Sequence, residues 1–300
     1  MKLMVRPVTT ADWPAVRRIS SRIWEGRDYV LLFFRQWVRE GGFWCGTRRG
    51  RVVGYGKATE LAPREWWLEG LRVDPDCRHR GIGAELSRQV LYRAFDERPI
   101  SLRLATSDSN HDSVRIIEDA MHLRVYVRFR SFTMSPNAEG RSAKSGLRYS
   151  LAPGEPGRAR KLHTPSAGEA LEFLRRSPEF VAGRGLIQAS WHFREAGPRY
   201  LAELRRSGSL YGFRRQGRLE GLLILVPHRY RGANLEVPFI GGTRQAIAAF
   251  GAFIHRRARE AGSETVNGMA ASREMEQAFV SIGARPHERG GAVLVYEYPV

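Results

Sequence analysis

Leu71-Arg72-Val73-Asp74-Pro75-Asp76-Cys77-Arg78-His79-Arg80-Gly81-Ile82-Gly83-Ala84 is the stretch from which the fold of this chain can be read. An apolar strand runs into an Asp-Pro turn and two spaced glycines. Ile82, Leu86, Val90, Leu91 and Phe95 then recur at helical spacing as far as about Asp96, so a helix begins where the glycines sit. Glycine lets backbone N–H groups approach an anion with no Cβ in the way, and a helix N-terminus adds its partial positive charge. Arg78, His79 and Arg80 surround that point, which makes a phosphate or diphosphate the natural guest. No Gly-Lys-Ser/Thr follows, as a Walker loop requires, and a dinucleotide fingerprint needs three glycines. A nucleoside-triphosphate enzyme is therefore disfavoured.

Working outward, Leu3 to Val8 reads as a strand. A helix follows, opened by Thr9 with Asp12 three positions on, the carboxylate form of a capping box, and carrying Trp13, Val16, Ile19 and Ile23. Phe43 to Thr47 and Arg51 to Ala58 read as a hairpin, and Trp66 to Val73 as the next strand. Beyond the central helix, Ser101 to Thr106 alternates as a strand, Asp112 to Met121 reads as a short helix, and Leu123 to Met134 alternates for twelve residues. A mixed α/β unit is complete near residue 135.

Three hundred residues predict two domains. Pro, Gly and Ser are densest over 135–160, broken only by the strand-like Leu147 to Leu151, which predicts domains at 1–140 and 159–300 joined by a linker at 141–158. The second half carries helical patterns at Gly168 to Arg175 and Arg199 to Arg206. Strands follow at Leu210 to Arg214, Leu219 to Val226 and Leu235 to Ile240, then helices at Arg244 to Glu260 and Arg273 to Ile282, and a closing strand at Ala292 to Tyr298. This order echoes the first half, as an internal duplication would. The expected fold class is α/β, each half a mixed, mostly antiparallel sheet flanked by helices.

The longest apolar runs, Tyr29 to Phe34 and Leu222 to Pro227, fall far short of the roughly 20 residues of a membrane span. The opening Met-Lys-Leu-Met-Val-Arg-Pro has no apolar signal region, so the cytoplasm is the expected address. Cys45 and Cys77 read as free thiols in a reducing compartment. The eight histidines show no HxxH or HExxH spacing, so no metal is expected. The formal net charge is +18, and 45 of the 49 basic residues are arginines. That charge is dispersed over both halves, which reads more simply as a compositional bias than as a nucleic-acid-binding tail.

Arg78-x-x-Gly81-x-Gly83 after a strand ending in Val73-Asp74-Pro75, with a helix and a strand behind it, resembles the acyl-CoA site of the GNAT superfamily of N-acetyltransferases. The opening Arg6-Pro7-Val8-Thr9-Thr10-Ala11-Asp12 resembles that family's first strand and helix, and Asn110-x-x-Ser113 its Asn-x-x-Ala/Ser element. The resemblance covers residues 3–134. It implies that backbone amides from Arg78, His79, Arg80, Gly81, Ile82, Gly83 and Ala84 hold the diphosphate of acetyl-CoA. Leu71, Arg72 and Val73 would pair with the pantetheine arm, an N–H near Val73 would serve the oxyanion, and Asn110 and Ser113 would contact the pantetheine or thiol end. Asn110 could instead simply cap the helix that starts at 111–112.

The family's usual general acid is a tyrosine seven positions after that Asn, where this chain has Ile117, and Met121-His122 stands where the family has Gly-Phe. Tyr126, Ser113 or water would have to return the proton. Glu69, with the strand parity of Leu71, Val73 and Glu65, is the expected base, or else an ordinary strand carboxylate. In the second half Gly241-Gly242-Thr243 lacks the Arg and spaced glycines, while Phe279 and Gly283-Ala284 resemble the family's Tyr and Gly-Phe positions, so that half reads as a degenerate copy. The expected activity is direct transfer of an acetyl group from acetyl-CoA to an amine of a small molecule or peptide. The alternative is a non-catalytic acyl-CoA-binding or nucleic-acid-binding module of the same fold.

Overall fold

The computed structural model describes residues 3–136, 162–230, 233–287 and 291–298. Within them the chain folds as two compact units, Met1–Arg128 with Ala292–Val300, and Phe129–Gly291. The expected linker at 141–158, with its strand-like Leu147 to Leu151, lies outside the described residues.

In the first unit the elements are β1 (Met4–Pro7), α1 (Trp13–Ser20), α2 (Val30–Glu40), β2 (Phe43–Arg48), β3 (Arg51–Ala62), β4 (Glu65–Val73), α3 (Ile82–Phe95), β5 (Ser101–Ser107) and α4 (His111–Arg115), which continues as a π-turn over Ile116–Ala120. β6 (Arg124–Met134) carries the chain into the second unit. Thr9 acts as read from sequence: its N–H and hydroxyl both donate to the Asp12 carboxylate, at 2.8 and 3.1 Å. Helix α2 escaped the sequence reading, which saw only an apolar run from Tyr29 to Phe34. Its buried residues Val30, Phe34 and Trp37 do have helical spacing, but Tyr29 at the N-cap makes no side-chain capping bond, so the start signal is missing.

The sheet of this unit runs β1-β2-β3-β4-β5 and ends on β14 (Ala292–Glu297), antiparallel throughout except for β4 beside β5. On one face Val16, Ile19, Phe34 and Trp37 of α1 and α2 pack with Phe43 and Tyr55. On the other face Ile82, Leu86, Val90 and Leu91 of α3 pack with Val53, Leu102, Leu104 and Tyr296. Sequence order assigned the closing strand to the second half. In the structure it pairs with β5, from Val293 opposite Ser107 to Glu297 opposite Arg103, because Val293, Leu294, Val295 and Tyr296 are buried there.

The second unit contains α5 (Ala167–Arg176), α6 (Pro178–Ala182), β7 (Leu186–Ala189), β8 (His192–Glu195), α7 (Pro198–Arg206), β9 (Leu210–Arg215), β10 (Arg218–Pro227), β11 (Leu235–Gly242), α8 (Arg244–Glu260), β12 (Val266–Ala270), α9 (Arg273–Ser281) and β13 (Arg285–Pro286). Its sheet runs β6-β12-β11-β10-β9, with β13 on β6 and β7–β8 as a separate hairpin. The antiparallel run β9-β10-β11, a crossover through α8 and a parallel β12 repeat the plan of β2-β3-β4, α3 and β5. The sequence reading missed α6, β7, β8, β12 and β13, all too short to show a period. No helix among the described residues is long and apolar enough to cross a membrane.

Candidate active site

Glycine sets the geometry of β4. Gly70 has φ +66°, and a Cβ there would lie 2.7 Å from the Trp37 ring. The β3–β4 register slips at the same place, Tyr55 facing Arg72 but Lys57 facing Glu69, so Gly70 and Leu71 together oppose one residue of β3. This is a β-bulge, and a residue inserted into a strand reverses the facing of everything after it. Trp66 and Leu68 before the bulge, and Leu71 and Val73 after it, all pack into the cluster around α3. The shared parity of Glu69 with Leu71 and Val73, read from sequence, is therefore wrong. Glu69 lies on the opposite face with Glu65, accepting a 2.6 Å hydrogen bond from the Thr59 hydroxyl. Its charge helps raise the phenol of Tyr29 to about 12, where burial is the larger cause.

β4 and β5 pair only over Glu65–Trp67 and Ser101–Arg103. From Leu68 to Val73 the edge of β4 turned away from β3 has no ladder partner among the described residues. Asp74 N–H donates to Val53 on β3 at 2.9 Å, so alternation turns the N–H and C=O of Val73 to that open edge. Such an edge can take an extended ligand as if it were another strand.

Beyond Val73 the chain makes a 3-10 turn, Pro75–Cys77, and enters α3 through His79 at φ +56° and Gly81 at φ +72°. Gly81 is exposed, and a Cβ on it would meet nothing within 4 Å. Glu85 N–H to Gly81 C=O is the first backbone bond of the helix. The N–H groups of His79, Arg80, Gly81, Ile82, Gly83 and Ala84 have no partner among the described residues, and those of the helix's first turn point out of its N-terminus. Arg78, His79 and Arg80 are exposed around them. Ile82 is buried in the core, and Gly83 lies where a Cβ would come 3.0 Å from the Ile116 Cδ1, a contact that a larger residue would keep only by displacing that methyl. The cradle fits a diphosphate by its free donors, its positive end and its open front.

Arg72, expected to pair with the pantetheine arm, offers the open edge neither main chain nor side chain, because the alternation that turns Val73 outward turns the N–H and C=O of Arg72 toward Tyr55 on β3. The guanidinium grips buried Asp28 through two bonds, 3.1 and 2.8 Å, and lies 4.4 Å from the Trp24 ring centre. Asp28 also accepts from Tyr55, which shares a 2.5 Å bond with Ser20. Burial pushes the Tyr55 phenol well above its ordinary value, with Asp28 adding to it. Asn110 caps α4, its Oδ1 accepting from Ser113 N–H at 3.3 Å. Ser113 is half-buried on the same turn. Ile117 is a core residue, packed with Leu86 and Leu104. Tyr126 on β6 has Arg103 5.4 Å from its ring centre.

The residues that brace this site had not been picked out from sequence: Asp28, Arg18 and Arg51. Gly70, at least, had a signal, since a glycine inside a strand pattern marks a bulge. In the second unit the corresponding helix start is built differently, with the Thr243 N–H donating to the Glu220 carbonyl at 3.0 Å. A Cβ on Gly242 would lie 2.4 Å from the Glu220 carbonyl, one on Gly241 would lie 3.2 Å from the Glu179 carboxylate, and Thr243 caps α8 itself. The ring of Phe279 lies against Gly268, 2.3 Å from where a Cβ would be, and stacks on Phe132. Among the described residues no three His, Cys, Asp or Glu side chains gather as a metal site.

Residues 10–122 match the model of the acetyltransferase (GNAT) family. No curated protein sequence matches the chain significantly. Similar solved structures include a GCN5-related N-acetyltransferase from Sphaerobacter thermophilus, at 14% identity and TM-score 0.60 over 99% of this chain and 95% of that one. A tandem GNAT protein from the clavulanic acid biosynthesis pathway, solved without AcCoA, matches at 15% identity and TM-score 0.56 over 99% of this chain and 98% of its own. A GCN5-related N-acetyltransferase from Kribbella flavida matches at 15% identity and TM-score 0.52, covering 99% and 71% respectively. At these identities the likeness is one of fold.

Proposed function

We propose that this chain, which carries a GNAT-family domain over residues 10–122, transfers an acetyl group from acetyl-CoA to an amine of a small molecule or peptide. The observation that carries the reading is the run of partnerless amides from His79 to Ala84, set directly after a strand whose edge is open from Leu68 to Val73. Bound acetyl-CoA supplies an activated acyl carbonyl. The amides of the loop would hold the diphosphate, and the open edge of Leu71 and Val73 would take the pantetheine amides. The Val73 N–H would donate to the carbonyl oxygen as negative charge develops on it, a bond that strengthens toward the transition state.

Glu69 is the base in this reading. Its carboxylate, on the face opposite α3 and bonded to Thr59, would accept the proton of an incoming ammonium directly or through one water. Proton return to the leaving thiolate falls to Ser113, Tyr126 or water, because Ile117 is apolar and buried. The second unit, whose helix start lacks the preceding Arg and the spaced glycines, we read as a degenerate copy that has lost the cradle.

Ile117 also favours a second reading, a domain that binds acyl-CoA without transferring the acyl group. Calorimetry with CoA and a screen of amines followed by thiol release separate the two. Saturable CoA binding with turnover supports transfer, and binding without turnover of any amine supports the second reading. A folded protein that binds no CoA refutes both. In that case DNA or RNA affinity falling steeply with salt would place the +18 charge at the centre of the function.

A further inference from the structure

Asp74 lies between the open strand and the cradle and is fully buried. Arg18, in the last turn of α1, donates to its carboxylate and also to the Val52 carbonyl at 3.0 Å. Arg51 at the start of β3 donates to the same carboxylate at 3.0 Å, and Arg22 approaches it at 3.3 Å while forking Asp76 through two 2.8 Å bonds. The main chain of Asp74 is held as firmly. Its N–H bonds Val53, its carbonyl accepts from Cys77 N–H at 2.8 Å, and its carboxylate accepts from Asp76 N–H at 3.3 Å. Three guanidinium groups thus meet two carboxylates at the entrance to the loop.

A buried carboxylate is costly unless paired, and one removed from its cations leaves uncompensated charge behind. Burial alone would raise the pKa of Asp74. The Arg18 bond, with those from Asp76 N–H and Arg51, outweighs it and leaves the pKa below the ordinary value. The ionised group therefore pins the start of the Pro75–Cys77 turn to α1 and β3. The far end of the loop is fixed where Gly83 packs on Ile116. Donors between two fixed points meet an anion with little further ordering, which is where preorganisation raises affinity.

We propose that Asp74 is a positioning residue for the diphosphate cradle, acting through the Pro75–Cys77 turn on the amides of residues 79–84. The proposal rests on the acyl-CoA reading above and assigns Asp74 no contact with the ligand. The test is calorimetry on the full chain and on Asp74→Asn, with CoA, inorganic diphosphate and pantetheine as probes. Asn keeps the turn-capping oxygen but loses the charge that three arginines share. Expected are a loss of about tenfold for CoA and for diphosphate, the scale of one charge-assisted bond, and an unchanged affinity for pantetheine, which lacks the diphosphate. A general loosening of the unit would weaken all three probes alike and overturn the proposal, as would CoA affinity within twofold of the parent. Should Asp74→Asn fail to fold, Arg51→Gln, at a half-exposed side chain, tests the same link with an expected loss of about threefold for the two diphosphate-bearing probes. Absence of CoA binding to the unaltered chain would overturn the acyl-CoA reading itself, whatever the variants do.

Discussion

Replacing Gly70 by alanine measures what the bulge in β4 requires of its sequence. At φ +66° any L-residue with a Cβ carries a left-handed penalty of about 1–2 kcal/mol. The new methyl would also sit 2.7 and 2.8 Å from two carbons of the Trp37 ring, itself enclosed by Tyr29, Phe33 and Phe43, so the ring has nowhere to retreat. Overpacking of that kind costs about 1–3 kcal/mol, for a total of about 2–5 kcal/mol. Gly81→Ala is the internal control. Its φ of +72° carries the same backbone penalty, but the methyl meets nothing within 4 Å, so about 1–2 kcal/mol is the whole expected loss. Urea unfolding followed by tryptophan fluorescence suits the comparison, because Trp13, Trp24, Trp37, Trp44, Trp66 and Trp67 all lie in the first unit and only Trp191 in the second. Equal losses for the two variants, within about 0.5 kcal/mol, would refute the claim that Gly70 is held by Trp37 as well as by its dihedral angle.

Arg72→Met strands the Asp28 carboxylate in the core and is expected to destabilise by about 3–5 kcal/mol, with much of the loss recovered in the Asp28→Asn/Arg72→Met double variant; additive losses in that cycle would show the pair to be uncoupled. Ending the chain after Gly291 removes Val293, Leu294, Val295 and Tyr296 from the first unit and leaves buried Arg103 without Glu297. At about 1.5–3 kcal/mol per side chain that rivals the whole stability of a domain, so cooperative unfolding of the tryptophan-rich unit should disappear. An unchanged urea transition would count against it. Asp12 is held near a pKa of about 2, chiefly by its hydrogen bond from Arg6, against an ordinary 3.8. A depressed carboxylate stabilises the fold above its unfolded pKa, and that contribution fades as pH falls from about 5 toward 2. The stability gap between the parent and Asp12→Asn should therefore close over that range, and a gap that persists at pH 2 would contradict the assignment.

The strand, loop and helix start of the candidate cradle were legible in residues 71–84 because every property they need is local. A strand, two glycines and a helix start follow one another within fourteen residues, and backbone donors need no distant partner to point outward. Thr9 with Asp12, and α8 from Arg244 to Glu260, were legible for the same reason. Glu69 shows where alternation misleads: the strand was read correctly, but one residue at φ +66° turned the side chains after it to the other face. Period-two counting holds only while the ladder is regular.

Tertiary structure alone decided two things. It sent Ala292–Glu297 back to pair with β5, a choice between edges that the strand's own apolar sequence cannot make. It drew Arg18 of α1, Arg22 just beyond that helix and Arg51 of β3 onto Asp74, although sequence showed only dispersed arginines. Local signals report conformational preference over a few residues. Pairing of strand edges and of buried charges is settled by which surfaces meet, and that follows only from the folded chain.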